Sequence, residues 1–433
     1  MPKRSIESLA KNSLPKAKRL VSVLLLSVLF FSFLAAVGVA SAASDDWLMF
    51  HHDPAHTGTS STEPAVSNNL VWTFKTGAPL GASATIADEK IYVPTDDGVI
   101  YCLNAADGSQ IWNYSLPSRY AAISSTIAIS DGNAYFGCYD HNVYCLDASS
   151  GAEKWSFTTS DSIQSSPVVS DGKVYIGSWD GNVYCLDATS GDEIWTFATG
   201  ALVDSSPALY NGYVYVGSAD MNMYCLTATT GAKVWSYTTG GIVLSSPTVV
   251  DGYVYFGSED HNVYCLNADN GEKVWSYQEQ GIVDSSPAVA DGFVYIGSGF
   301  SDAGSDKNVY CLNSTTGDKI WSSPTSDGVY SSPAIVGDYV YVGGWDNSLY
   351  CLRATDGTQV WTYTAQNHIS ASPSVSGGLV YITSWDRSIY AIGTQPTNNS
   401  SGEVPVWLIG TLVLIVVVLV LVILLVSMRK KSK

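Results

Sequence analysis

The sequence predicts an all-β fold, an eight-bladed β-propeller closed by an N-terminal strand, with one C-terminal transmembrane helix beyond it. Three observations carry this. A unit of about 40 residues repeats, turn chemistry cuts each unit into four short strands, and the strand count balances only if both chain ends share one sheet.

The repeated phrase is Ser-Ser-Pro, a short apolar strand, a tight turn, Val-Tyr-x-Gly-Ser, a turn carrying Asp, Tyr-Cys-Leu, a glycine turn and Trp. Its third-strand tyrosine falls at Tyr101, Tyr144, Tyr184, Tyr224, Tyr264, Tyr310, Tyr350 and Tyr390, with spacings of 43, 40, 40, 40, 46, 40 and 40. The closing tryptophan recurs at Trp112, Trp155, Trp195, Trp235, Trp275, Trp321 and Trp361, and Trp72 precedes the first full unit. Short β-branched and aromatic runs such as Val174-Tyr175-Ile176 predict strands buried on both faces. Asp171-Gly172, Asn211-Gly212, Asp251-Gly252 and Asp291-Gly292 suit two-residue hairpin turns with positive φ. We name the strands A (Ser166–Val169), B (Val174–Ser178), C (Val183–Leu186) and D (Glu193–Phe197). The chain supplies eight sets of A, B and C, seven D strands, and the orphan Val71–Phe74. The last unit stops at Ile389–Ile392, so the orphan completes it and closes the ring. An open stack would leave strand edges exposed.

The ends read differently. Residues 1–43 carry six basic residues, an apolar run and Ala40-Ser41-Ala42-Ala43, the layout of a signal peptide or an N-terminal anchor. The propeller spans 44–392 and a polar linker 393–404. Residues 405–427 are apolar over a length that spans about 30 Å as a helix. Arg429, Lys430, Lys431 and Lys433 lie in the tail 428–433, which predicts a single-pass protein with its C-terminus cytoplasmic and its propeller extracellular at the cell membrane. Between the two ends only 11 basic residues face 38 acidic ones, which argues against a nucleic-acid partner.

The segment Ala188-Thr189-Ser190-Gly191-Asp192-Glu193-Ile194-Trp195, repeated around the ring, resembles the PQQ-like (quinoprotein-type) repeat family that includes the outer-membrane assembly factor BamB. Trp47-Leu48-Met49-Phe50-His51-His52-Asp53-Pro54-Ala55-His56-Thr57-Gly58 resembles that family's opening segment. The resemblance implies that each of the eight tryptophans docks its blade on the next. It also implies two alternatives for function, a PQQ-dependent oxidoreductase or a BamB-like envelope-assembly factor. Family dehydrogenases are longer and many carry adjacent cysteines. No two cysteines adjoin here, and the notable insertion is Phe300–Ser305. No cofactor is expected, with PQQ and a divalent metal as the alternative.

Seven of the eight cysteines occupy one position per blade. Neighbouring sheets lie about 10 Å apart, too far for disulfides, so these read as packing thiols. Cys138 on strand B is expected to be free too. The cluster His51, His52, Asp53 and His56 reads as a structural segment rather than a metal site. Asp97, Asp140, Asp180, Asp220, Asp260, Asp306, Asp346 and Asp386 recur in the B–C turns and read as turn stabilisers. No catalytic residue or metal ligand stands out.

B–C turns and D–A connections share one face, here the first; A–B and C–D turns share the second. The copies differ most on the first face, so Tyr139, Trp179, Trp345, Trp385, Asp204, Asp284, Tyr330 and His368 are the candidate ligand-binding residues, with Arg119 nearby. Aromatics among acids suit a protein or glycan ligand. Sequons place candidate glycosylation at Asn113, Asn313, Asn398 and Asn399, away from that face. The reading is a membrane-anchored extracellular binding or scaffolding module without catalysis of its own.

Overall fold

The computed structural model describes residues 46–117, 121–299 and 307–394. The expected leader, most of the linker, the apolar segment 405–427 and the basic tail lie outside them, as do Arg119, the 300–305 insertion, Asp306, Asn398 and Asn399. Among the described residues there are strands and turns but no helix.

Eight antiparallel sheets form the blades. In blade 3 the strands are Val168–Ser170, Lys173–Gly177, Asn182–Asp187 and Glu193–Ala198, each hydrogen-bonded to the next. Strand A is shorter and later than expected because Ser165 and Ser166 turn their bonds elsewhere. Ser165 Oγ accepts the Gly177 amide at 3.1 Å and donates to Ser205 O of the next blade at 3.1 Å. The hairpin turns take the expected form, with φ of 50° at Asp171 and 69° at Gly172.

Blade 8 closes the ring. Leu70–Lys75 pairs antiparallel with Ser388–Gly393, with Trp72 opposite Ala391 and Thr73 opposite Tyr390. This blade has no C–D turn of its own, and the chain just before its D strand substitutes for one. Elsewhere a C–D-turn carbonyl receives the preceding blade's Trp and Tyr; here Ala65 O receives Trp361 Nε1 at 3.2 Å and Tyr341 OH at 3.1 Å.

That double acceptance is the repeated joint between blades. Trp155 Nε1 and Tyr135 OH of blade 2 both donate to Ala188 O of blade 3 at 3.1 Å. Trp72, Trp112, Trp195, Trp235, Trp275 and Trp321 likewise donate to Ala105, Ala148, Ala228, Ala268, Ser314 and Ala354. Seven of the eight rings, all but Trp361, also lie on a turn glycine: a Cβ at Gly191 would come within 2.7 Å of the Trp155 ring.

Residues 47–60 run across the axis toward the second face. The carbonyls of Trp47, Leu48, Pro54, Ala55, Thr57 and Gly58 accept amides from the A strands of blades 1, 2, 4, 5, 6 and 7. Thr59–Ser60 then adds a parallel fifth strand to blade 7. This segment plugs the second-face half of the channel.

The eight cysteines are free and buried. Burial pushes the thiols of Cys185, Cys225 and Cys311 up to about 12. The turn aspartates are stitches. Asp180 accepts Tyr184 OH, the Asn182 amide and, from the preceding D–A connection, the Ser160 amide.

Candidate functional site

The plug leaves the first-face half of the channel as a well of about 340 Å³. Its floor is Phe50 and its wall is a ring of hydroxyls from the residue at the second serine position of each Ser-Ser-Pro phrase. Ser166, Ser206, Ser246, Ser286, Ser332, Ser372 and Ser83 each accept an amide from the preceding blade, at 2.9–3.1 Å. Thr126 occupies the eighth position. The rim above is where the copies differ: Gly81, Ser124, Gln164, Asp204, Leu244, Asp284, Tyr330 and Ser370, from blades 1 to 8.

Of the candidate residues, Asp204, Asp284 and Tyr330 line the well directly, while Tyr139, Trp179, Trp345, Trp385 and His368 stand around it on the B–C turns and D–A connections. They gather into separate groups. Trp179 Nε1 donates to Asp204 Oδ1 at 3.0 Å, and Tyr139 meets Trp179 edge-on at 5.5 Å and donates to Gln164. Trp345 lies between Tyr330, at 4.7 Å, and His368, stacked at 5.1 Å. His368 Nδ1 sits 2.5 Å from Trp345 O. Trp385 bonds Ser370 through Nε1 at 3.0 Å and remains 44% exposed, so its ring is open to a ligand.

The well is acidic. Burial, then the charges of Glu259 and Asp204, lift the Asp284 carboxyl to about 7. Burial also raises Asp204, Glu259 and Asp96, the last packed against Gly81. Asp284 Oδ1 is enclosed and has no hydrogen-bond partner. No basic side chain is among the described residues lining the well.

The histidine cluster is part of the plug. His51 and His56 are buried; their Nδ1 atoms lie 3.0 Å from His56 O and 3.2 Å from Pro247 O. Burial lowers them to about 4 and about 3, so both are neutral. No group of three His, Cys, Asp or Glu able to hold a metal exists among the described residues. Of the sequons, Asn113 is exposed on the outer strand of blade 1. Asn313 Oδ1 accepts the Thr315 and Thr316 amides at 2.9 Å in a second-face turn.

Sequence reasoning missed the hydroxyl ring and the Phe50 floor. The serines were in plain view as part of the repeat, and that regularity disguised them as scaffold. The available signal was two adjacent polar residues opening the innermost strand of nearly every blade.

The family profile described as "Outer membrane protein assembly factor BamB" matches residues 63–131, 118–181, 179–307 and 305–399. No curated protein is detectably similar in sequence. Among solved structures, BamB from Moraxella catarrhalis superposes with a TM-score of 0.65 at 21% identity, over 76% of this chain and 100% of that one. A europium-containing methanol dehydrogenase gives 0.68 at 14% identity, over 78% and 89%. The quinohemoprotein alcohol dehydrogenase of Comamonas testosteroni gives 0.71 at 15% identity, over 83% of each chain. At these identities the structural likeness establishes the fold alone, and the profile, spanning most of the propeller, establishes that the chain belongs to the BamB-like PQQ-repeat family.

Proposed function

We propose that the chain is a membrane-anchored extracellular scaffolding propeller that docks a protein partner on its first face. One observation carries this reading. The non-repeating residues gather around an open well on that face, while residues 47–60 close the opposite half of the axis. A rigid ring presenting pre-ordered side chains loses little entropy on binding. The assembly-factor description of the family favours a protein over a glycan. The anchor is the apolar segment 405–427. Strand C of blade 8 runs to the second face, where Gly393 pairs with Leu379. The linker beyond can stretch at most about 40 Å.

Photo-crosslinkers at Trp385 on the first face and at Asp251 on the second, in intact cells, test the reading. Adducts to a discrete protein from Trp385 alone are expected. Adducts from Asp251 alone, or first-face labelling of glycan alone, would reject it.

The residues of the well do not fit PQQ. That cofactor is a polycarboxylate needing a metal ligand set and a Trp or Arg against the quinone. Here the described lining offers Asp204 and Asp284, with no Trp, Arg or Lys.

A further inference from the structure

We propose that the axial well is a receptor for a single alkylammonium group, such as the end of a lysine side chain. This deepens the docking reading above and rests on the same site.

The well is built for a small, positively charged hydrogen-bond donor. Asp204 and Asp284 stand on blades 4 and 6, with Leu244 between them on blade 5. Asp284 is the telling group. One of its oxygens is shut away from solvent with no partner, and the charges it faces, Asp204 and Glu259, are both negative. A buried carboxylate left unpaired beside like charges is costly, and a cation arriving between them removes the cost. Below the rim, the ring serines are 3–7% exposed. Each oxygen already accepts one amide and keeps a second lone pair and its proton. An ammonium carries three donors, and the acceptors lining the well are the serine hydroxyls of the ring and the carboxylates of the rim. A guanidinium asks for a planar fork, which carboxylates two blades apart do not form.

Other occupants fit less well. An anion meets two carboxylates and no basic side chain among the described lining residues. Calcium takes six to eight oxygens at about 2.3–2.6 Å, and no cluster of three acidic or His ligands converges among the described residues. The volume, about 340 Å³, holds the alkyl stem of a lysine over the Phe50 floor.

Calorimetry on the full-length protein at pH 8 tests this with n-butylammonium, a Gly-Lys-Gly peptide and its Nε-acetylated counterpart. Butylammonium and the lysine peptide are expected to bind and the acetylated peptide not. Asp284→Asn and Asp204→Asn should each weaken binding at least about tenfold, as loss of a charged partner does, while both variants keep the wild-type far-ultraviolet spectrum. Trp179 fluorescence should respond, because its indole bonds Asp204. Peptide binding about tenfold tighter than butylammonium would assign the ammonium to a macromolecular partner, and equal binding to a free amine; both support the receptor. Equal binding of the acetylated peptide, unchanged affinity in both variants, or binding of calcium chloride in place of the amines would overturn it. Crosslinks from Trp385 without amine binding would overturn this inference alone. Amine binding without crosslinks would overturn only the docking reading.

Discussion

The interlock between blades can be tested with two glycines of one blade. Gly172 and Gly191 both have positive φ, 69° and 78°. A Cβ at Gly172 meets nothing within 4 Å, whereas at Gly191 it would lie 2.7 Å from Trp155 Cδ2 and Cε3. Alanine at either site incurs the left-handed penalty of about 1–2 kcal/mol, partly offset by about 0.4–1 kcal/mol from a less flexible unfolded chain. Gly172→Ala should therefore lose about 1 kcal/mol. Gly191→Ala adds a steric conflict, because carbon atoms pack best at about 3.5–4.0 Å. The Trp155 ring must move by about 1 Å to restore that spacing, enough to break its 3.1 Å bond to Ala188 O. Overpacking of about 1–3 kcal/mol plus a lost hydrogen bond of about 0.5–1.5 kcal/mol gives a further loss of roughly 2–4 kcal/mol. Urea unfolding of the full-length variants, followed by tryptophan fluorescence, measures the difference. Trp155→Leu, with its smaller side chain, should make Gly191→Ala nearly as mild as Gly172→Ala. If the two alanine variants unfold together in the Trp155 background, the ring-on-glycine contact is not what joins the blades.

Three more expectations follow from the same geometry. Trp72→Ala should cost about 3–5 kcal/mol and make both chain ends protease-sensitive together, since Trp72 binds blade 1 from the strand that closes blade 8; limited proteolysis with terminal sequencing checks it. Asp284 is raised from 3.8 to about 7, so its burial is harmless while protonated and destabilises progressively as pH rises from about 4 through 7. At about 1.4 kcal/mol per unit the penalty is at most about 4 kcal/mol, so Asp284→Asn should raise the melting temperature at pH 8 and leave it nearly unchanged near pH 4. All eight cysteines are buried, so a thiol reagent should label none in the native protein and all eight in urea; rapid native labelling of the blade-position thiols would contradict the packing role.

Ring closure was legible because it reduces to counting. An unpaired Val71–Phe74 and a last unit lacking its fourth strand leave one solution, and Trp72 falls opposite Ala391 as that solution requires. The rim was legible for the opposite reason, because Asp204, Leu244, Asp284 and Tyr330 are where otherwise similar copies diverge. The path of residues 47–60 was not. Its contacts are made by its own carbonyls to A-strand amides in six blades, and main-chain bonds leave no side-chain pattern. The strand A boundary slipped for a related reason, since Ser166 read as a β residue while its amide serves the next blade through Ser206 Oγ.

The axial plug also constrains how the molecule can be made. Residues near Trp47 are synthesised before any blade, yet their partners are spread from Ile86 to Ile335. Individual hairpins can form as the ribosome delivers them, because A, B, C and D are sequence neighbours. The opening residues, however, find their last partners only when six blades have been made and the first strand of the seventh has followed, and the seam waits for Ser388–Gly393. Long-range pairing of this kind is slow. During translation the leading segment is therefore a loose thread, unspooled until the final strand has arrived.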